Sequence, residues 1–319
     1  MELSVSMSRP RRFVGRLWFG VALAGWLSCG CSSSPNAQWT MDSGKYSLTV
    51  RATYLEVDPA NGARITALRV GGRTGRDLLA DASVTGQEDN WGSTFWPSPQ
   101  DWPWPPTDPA SIAAINSQPY TATLAGDSLT LVSDLNASAP MLTVTKKLSA
   151  DVVDEAIVVE YSMVNGGSDA LVVAPWEISR VGPGGISFYA ADAAPVEQGL
   201  PLPPTTEGAG ATWYQHSPSD PVSYKLFADA KGWLAHANGD LLLIKSFPDI
   251  AAAQSPSTEA EVEIYSAPQY VEVEEQGAAQ SLGPGQALHW TVRWYARKLE
   301  APAVSGSAEL VTYVRHQLD

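Results

Sequence analysis

Cysteine is almost absent from this chain: 319 residues hold two, Cys29 and Cys31, with one glycine between them. Everything after residue 31 is therefore without a disulfide, a cysteine-held metal or a thiol nucleophile. Histidine is nearly as scarce. His216, His236, His289 and His316 lie far apart, with none of the close spacing of a metal-ligand pair. No G-x-S-x-G elbow, Walker loop, strand-borne G-x-G-x-x-G or H-E-x-x-H occurs, so no motif calls for a metal or a cofactor. Positive charge is short as well, with 20 Lys and Arg against 34 Asp and Glu. Setting aside the four arginines and one glutamate of residues 1–31 leaves 16 basic against 33 acidic residues, a net charge of −17. That balance excludes nucleic acid and anionic membrane surfaces as expected partners. Long apolar runs are missing too. "LWFGVALAGWL" (17–27) is eleven residues, where a helix crossing a bilayer needs about 20.

That short run follows Arg9, Arg11, Arg12 and Arg16, and the pair reads as the basic and apolar parts of a secretory signal. Both cysteines come directly after it, in "LSCGCSSSP". A cysteine behind a small residue at this place resembles the lipobox of bacterial lipoproteins, where the cysteine becomes the acylated first residue. Gly30 precedes Cys31 and Ser28 precedes Cys29; the Ser-rich run after Cys31 favours it, with Cys29 as the alternative. The resemblance implies a lipid anchor as the only membrane contact and a place in the bacterial cell envelope, at the outer membrane or periplasmic face. Residues 1–31 are then signal and 32–44 a Ser-rich tether. Roughly 275 residues follow, enough for one large core, and no linker divides them. The reading is one domain over 45–300, then a segment 301–319 in which "SGSAELVTYVRHQL" can close the chain as a helix.

Strand signals fill that domain. "YSLTVRATYLEV" (46–57), "ARITALRV" (63–70), "LTVTKKL" (142–148) and "AIVVEYSMV" (156–164) are rich in β-branched and aromatic residues. "LVVAPWEISR" (171–180), "DLLLIKSF" (240–247), "AEVEIY" (260–265), "QYVEVEE" (269–275) and "ALHWTVRWYAR" (287–297) continue the series. Asn61-Gly62, Gly126-Asp127, Asn165-Gly166 and Asn238-Gly239 read as hairpin turns, because these residues tolerate positive φ. One short helix is expected after Asp108-Pro109. The sum is an all-β chain: a large antiparallel β-supersandwich with few short helices.

Three stretches carry chemistry. "NWGSTFWPSPQDWPWPP" (90–106) places four of the 12 tryptophans among five prolines, so the stretch is expected to be neither a helix interior nor a central strand. Trp91, Trp96, Trp102 and Trp104, interleaved with Asn90 and Gln100, offer the flat faces and planar hydrogen-bonding groups that a sugar needs. The alternative is a plug over one end of the sandwich. "APWEISR" puts Trp176, Glu177 and Arg180 in an apolar strand. Regular alternation sends Glu177 and Arg180 to opposite faces; a bulge would turn both into one cavity. In "YVEVEE", Glu272 and Glu274 share a face, as paired carboxylates for acid–base work or as a solvated sheet surface.

The order of these pieces resembles the galactose-mutarotase-like proteins. "VDPANGARITALRVGG" is similar to their opening hairpin, and "AIVVEYSMVNGGSDALVVAPWEISR" to their central hairpin. "YVEVEEQGAAQSLGPGQALHWTVRWYARKL" is similar to their closing strands. Within that group, "GSTFWPSPQDWPWPP" followed by "APWEISR" resembles the exported domain-of-unknown-function family 4380. The resemblance spans residues 45–300 and implies a supersandwich with a carbohydrate cleft on its concave sheet. Taken with the residues above, the expectation is a sugar-binding protein using Asn90, Trp91, Trp96, Gln100, Trp102, Trp104, Trp176 and Arg180. The alternative is an aldose-epimerase-like isomerase. Such enzymes use a histidine of the central hairpin as acid and a glutamate as base; here Glu177 would act with Glu272 or Glu274.

Overall fold

The computed structural model describes residues 37–99, 115–134, 141–191 and 194–319. In chain order its first strands are Ala37–Asp42 (β1), Lys45–Val50 (β2), Thr53–Asp58 (β3), Arg64–Val70 (β4), Arg76–Asp77 (β5), Ser93–Ser98 (β6) and Tyr120–Ala125 (β7). The middle of the chain gives Ser128–Ser133 (β8), Leu142–Asp151 (β9), Ala156–Asn165 (β10), Leu171–Val181 (β11), Ile186–Ala191 (β12), Thr205–Gly208 (β13) and Ala211–Gln215 (β14). Last come Tyr224–Ala228 (β15), Ala230–Asn238 (β16), Leu241–Ser246 (β17), Val262–Ala267 (β18), Tyr270–Gln276 (β19), Gln280–Leu282 (β20) and Ala287–Lys298 (β21).

All pairings are antiparallel, and they build two sheets. The first runs β1-β2-β3-β4-β6-β11-β19-β18-β15, with β5 on β4 and β20 on β11; the second runs β13-β14-β12-β16-β17-β21-β10-β9-β8-β7. Period-two alternation becomes burial on such sheets. In β21, Trp290, Val292 and Trp294 point into the sandwich, while His289, Thr291 and Arg293 point out. Leu48, Leu55, Phe95, Val271 and Val273 meet them from the first sheet. The second sheet also buries its outer face: Phe188, Trp213, Trp233 and Tyr295 are covered by Leu310, Val311 and Val314 of a C-terminal helix, Ala308–Leu318, capped by Ser307. The chain is thus an all-β antiparallel supersandwich, as its sequence pattern indicates. No helix among the described residues is long and apolar enough to cross a membrane.

Four local readings need correction. Residues 37–42, assigned to the tether, form β1 and pair along β2. "YSLTVRATYLEV" is two strands, not one, because Arg51 takes a φ of +49° and turns the chain without a Gly or Asn signal. Asn165-Gly166 is not a hairpin turn. It carries the chain from β10 in the second sheet to β11 in the first, so β10 and β11 are not paired. The Asn165 side chain fixes that crossing, donating to Asp169 O (2.8 Å) and Leu282 O (2.9 Å) and accepting from Gly167 N (2.9 Å). Finally, the start of the tryptophan-proline stretch is a strand, β6, inside the first sheet. Pro97 is tolerated because it faces Pro175 of β11, and Pro175 O turns away to accept from Gly277 N (2.9 Å). A rung with no hydrogen bond does not miss the proline donor. The helix expected after Asp108-Pro109 lies outside the described residues.

Candidate functional site

β11 is the strand from which the site is built, because its alternation serves both faces of the first sheet. Trp176, Ile178 and Arg180 point outward; Glu177 and Ser179 point between the sheets. β19 lies beside it in register, Arg180 opposite Glu272, Ile178 opposite Glu274 and Glu177 opposite Glu275. Outward from this floor opens a trough of about 240 Å³, lined by Asn90, Trp96, Pro97, Pro99, Trp176, Ile178, Arg180, Lys225 and Glu272. β6 supplies the Trp96 wall, and β15 brings Lys225 from the opposite side.

Its polar groups are held in place before any ligand arrives. Arg180 donates through Nε to Glu272 (2.8 Å), through Nη1 to Thr94 Oγ1 (2.6 Å) and through Nη2 to Asn90 Oδ1 (3.4 Å). Trp176 Nε1 donates to Glu274 (3.0 Å), which fixes the indole face toward the trough. Lys225 Nζ lies 2.7 Å from Glu263 and 3.1 Å from Glu274. Burial would lower this ammonium, but Glu274 and Glu263 outweigh it and hold Lys225 above its ordinary range. Burial raises both Glu263 and Glu274, and the charge of Glu272 adds to the rise at Glu274. Glu274 is fully buried and paired, so "YVEVEE" is not the solvated sheet face its alternation suggested.

Glu177 belongs elsewhere. It sits fully buried between the sheets, accepting from Tyr161 and Lys245. Lys245 also reaches Glu275 (2.8 Å) and Ser179 Oγ (2.9 Å). Burial and the neighbouring Glu177 push Glu275 well above the ordinary carboxylate value. Burial would raise Glu177 too, but Lys245 and the bonds from Glu275 and Tyr161 bring it below its ordinary value. One ammonium thus lies between two buried carboxyl groups. Glu177 and Glu272 or Glu274 therefore cannot flank one cleft as an acid–base pair: the strand is regular, and they lie on opposite faces.

Of the residues singled out in the sequence, the trough gathers Asn90, Trp96, Trp176, Arg180 and Glu272, with Glu274 buried behind Trp176. Trp91 is not in it; its ring carries the Arg64 guanidinium at 4.6 Å, and its Nε1 donates to Glu88 O. Gln100, Trp102, Trp104, Cys29 and Cys31 lie outside the described residues. Lys225, Ile178, Glu263 and Lys245 were missed. The signal for Lys225 was present, since Lys225 and Phe227 alternate with buried Leu226 and Ala228, but five residues after a connection holding Pro218 and Pro221 make a faint strand. Among the described residues no histidine lines the trough.

No protein-family model matches the chain, and no curated protein matches it in sequence. Solved structures do match. A galactose mutarotase-like protein from Lactobacillus casei ATCC 334 is 12% identical, covers 82% of this chain and 100% of its own, and superposes with a TM-score of 0.57. A candidate aldose 1-epimerase from Klebsiella pneumoniae subsp. pneumoniae MGH 78578 is 10% identical over 88% of this chain and 86% of its own, TM-score 0.53. A galactose mutarotase related enzyme from Lactobacillus acidophilus is 8% identical over 84% and 100%, TM-score 0.50. At these identities the likeness defines the fold: a galactose-mutarotase-like supersandwich.

Proposed function

We propose that this protein binds carbohydrate in the trough beside Arg180, and that it is an exported lipoprotein of the domain-of-unknown-function 4380 type. A lipid on Cys31, or on Cys29, holds it at the bacterial cell envelope. The observation that carries the reading is the trough itself. Two indoles, Trp96 and Trp176, stand beside Asn90, Arg180, Glu272 and Lys225; Arg180 bonds to Asn90 and Glu272, and Lys225 to Glu274 and Glu263, which pre-sets their directions. Apolar ring faces take the C–H patches of a pyranose, and fixed polar groups take its hydroxyls. Little ordering is left to do on binding. Binding is favoured over ring opening because Glu177, the acid–base partner an isomerase would use here, is on the other side of the sheet.

The test is calorimetry on the full-length protein in detergent, using sugars selected from a glycan array. Trp96→Ala is expected to weaken binding about tenfold, or ~1.4 kcal/mol. Its melting temperature should hardly move, since Trp96 is only half-buried. Unchanged affinity in a folded Trp96→Ala protein would sink the proposal. Anchoring is read separately: radiolabelled palmitate should enter the wild type and be lost in Cys31→Ser or, failing that, Cys29→Ser.

A further inference from the structure

The trough does not end at Lys225. A second cavity of about 250 Å³ opens on its far side, lined by Gln198, Leu200, Phe227, Thr258, Glu259 and, again, Lys225. Two residues apart on β15, Lys225 and Phe227 share a face. The Lys225 ammonium is 5.6 Å from the Trp176 ring centre and 5.4 Å from that of Phe227, so it stands between an aromatic ring of each cavity. The loop walls of the second cavity are tied to its strand and to each other. Val196 and Phe227 exchange backbone hydrogen bonds of 2.8 and 3.2 Å, and Gln198 Nε2 donates to Thr258 O at 2.6 Å.

Size decides how the two are used. Ligand sites commonly enclose ~300–1,000 Å³; neither cavity reaches that range alone, and together they fall within it. From β6 to β15 the sheet takes four inter-strand steps of about 4.8 Å, roughly 19 Å in all, longer than one pyranose ring. Lys225 Nζ at the junction lies 2.7 Å from Glu263 and 3.1 and 3.2 Å from the two oxygens of Glu274, and its side chain is still 14% exposed where the cavities meet.

We propose that the ligand is an oligosaccharide of two or more residues lying across the sheet, one ring against Trp96 and Trp176, the next over Phe227. The linkage passes over Lys225, whose ammonium stands between the Trp176 and Phe227 rings. This rests on the carbohydrate reading above and adds the ligand's length and path.

The test screens the full-length protein against an array of matched mono-, di- and trisaccharides, then measures the best-binding pair by calorimetry. The disaccharide should bind at least about tenfold more tightly than its monosaccharide. Leu200→Trp, which fills the second cavity from its rim, should bring the disaccharide down to monosaccharide affinity and leave the monosaccharide within about twofold. Gln198→Ala should weaken the disaccharide alone, and it decides the matter if Leu200→Trp does not fold. Equal affinity for both lengths, or folded rim variants with undiminished disaccharide binding, overturns the two-cavity ligand and leaves sugar binding intact. No saccharide bound anywhere on the array overturns both.

Discussion

Lys245 and Lys147 both face carboxylates, and burial separates what they do. Lys245 is 1% exposed between Glu177 and Glu275, and its ammonium lies 3.6 Å from the centre of the Trp294 ring. Replacing it by alanine leaves Glu177 charged in the core, or forces on it a proton it does not otherwise hold. Lys245→Ala should cost about 3–5 kcal/mol, read from urea midpoints. Lys147 pairs with Glu160 with both side chains 45% exposed, and Lys147→Ala should cost about 0–1 kcal/mol in the same assay. A third lysine sets a pH dependence. Lys146 is buried in β9, donating to Gly62 O (2.8 Å) and Ala63 O (3.1 Å), and burial together with Arg64 pushes it down to about 7. In the unfolded chain it titrates near ~10.4, so between about pH 7 and 10 the unfolded state holds a proton that the folded state lacks. Its contribution to stability therefore rises with pH across that window. Urea midpoints at pH 7 and 9.5 should show the rise in the wild type and a flatter response in Lys146→Met, whatever that variant loses at both pH values.

At the scale of elements, the two Asn-Gly turns at 165 and 238 look alike in sequence and differ in work. Asn238-Gly239 joins paired strands, β16 and β17, and its side chain makes one exposed bond to Pro183 O. Asn165 holds a passage between sheets with three bonds, one to the buried Leu282 O. Asn165→Ala should cost about 2–4 kcal/mol and Asn238→Ala about 1 or less, by thermal or urea unfolding. This pair shows how far the sequence could be read. Turn positions and strand alternation are local and visible, so the sandwich and the outward set Trp176, Arg180 and Glu272 could be drawn from periodicity. Whether a turn returns to its own sheet or crosses to the other depends on partners more than a hundred residues away, such as Leu282. Pro97 misled for the same reason: only Pro175 across the rung makes a proline harmless in β6. Glu177 was legible as an inward or outward choice; Lys245, which settles it, lies 68 residues on in an otherwise apolar strand.

For the whole molecule the decisive feature is that its two outer surfaces do different jobs. One outer face carries the trough; the other is closed by the C-terminal helix over Phe188, Trp213 and Trp233, with Val314 fully buried beneath it. Both sheets and the core between them separate helix from trough. Stability and recognition should then vary independently. Val314→Ala removes buried methyl groups and should cost about 1–3 kcal/mol, or a fall of several degrees in melting temperature. The same variant should bind the array-selected saccharide with wild-type affinity. Ligand at a hundred times its dissociation constant should raise the stability of wild type and variant alike by about 2.7 kcal/mol. A smaller increment in Val314→Ala would mean that the helix face and the trough share a conformational equilibrium through the core, and that the first sheet is not the rigid platform its buried Lys245–Glu177–Glu275 cluster implies.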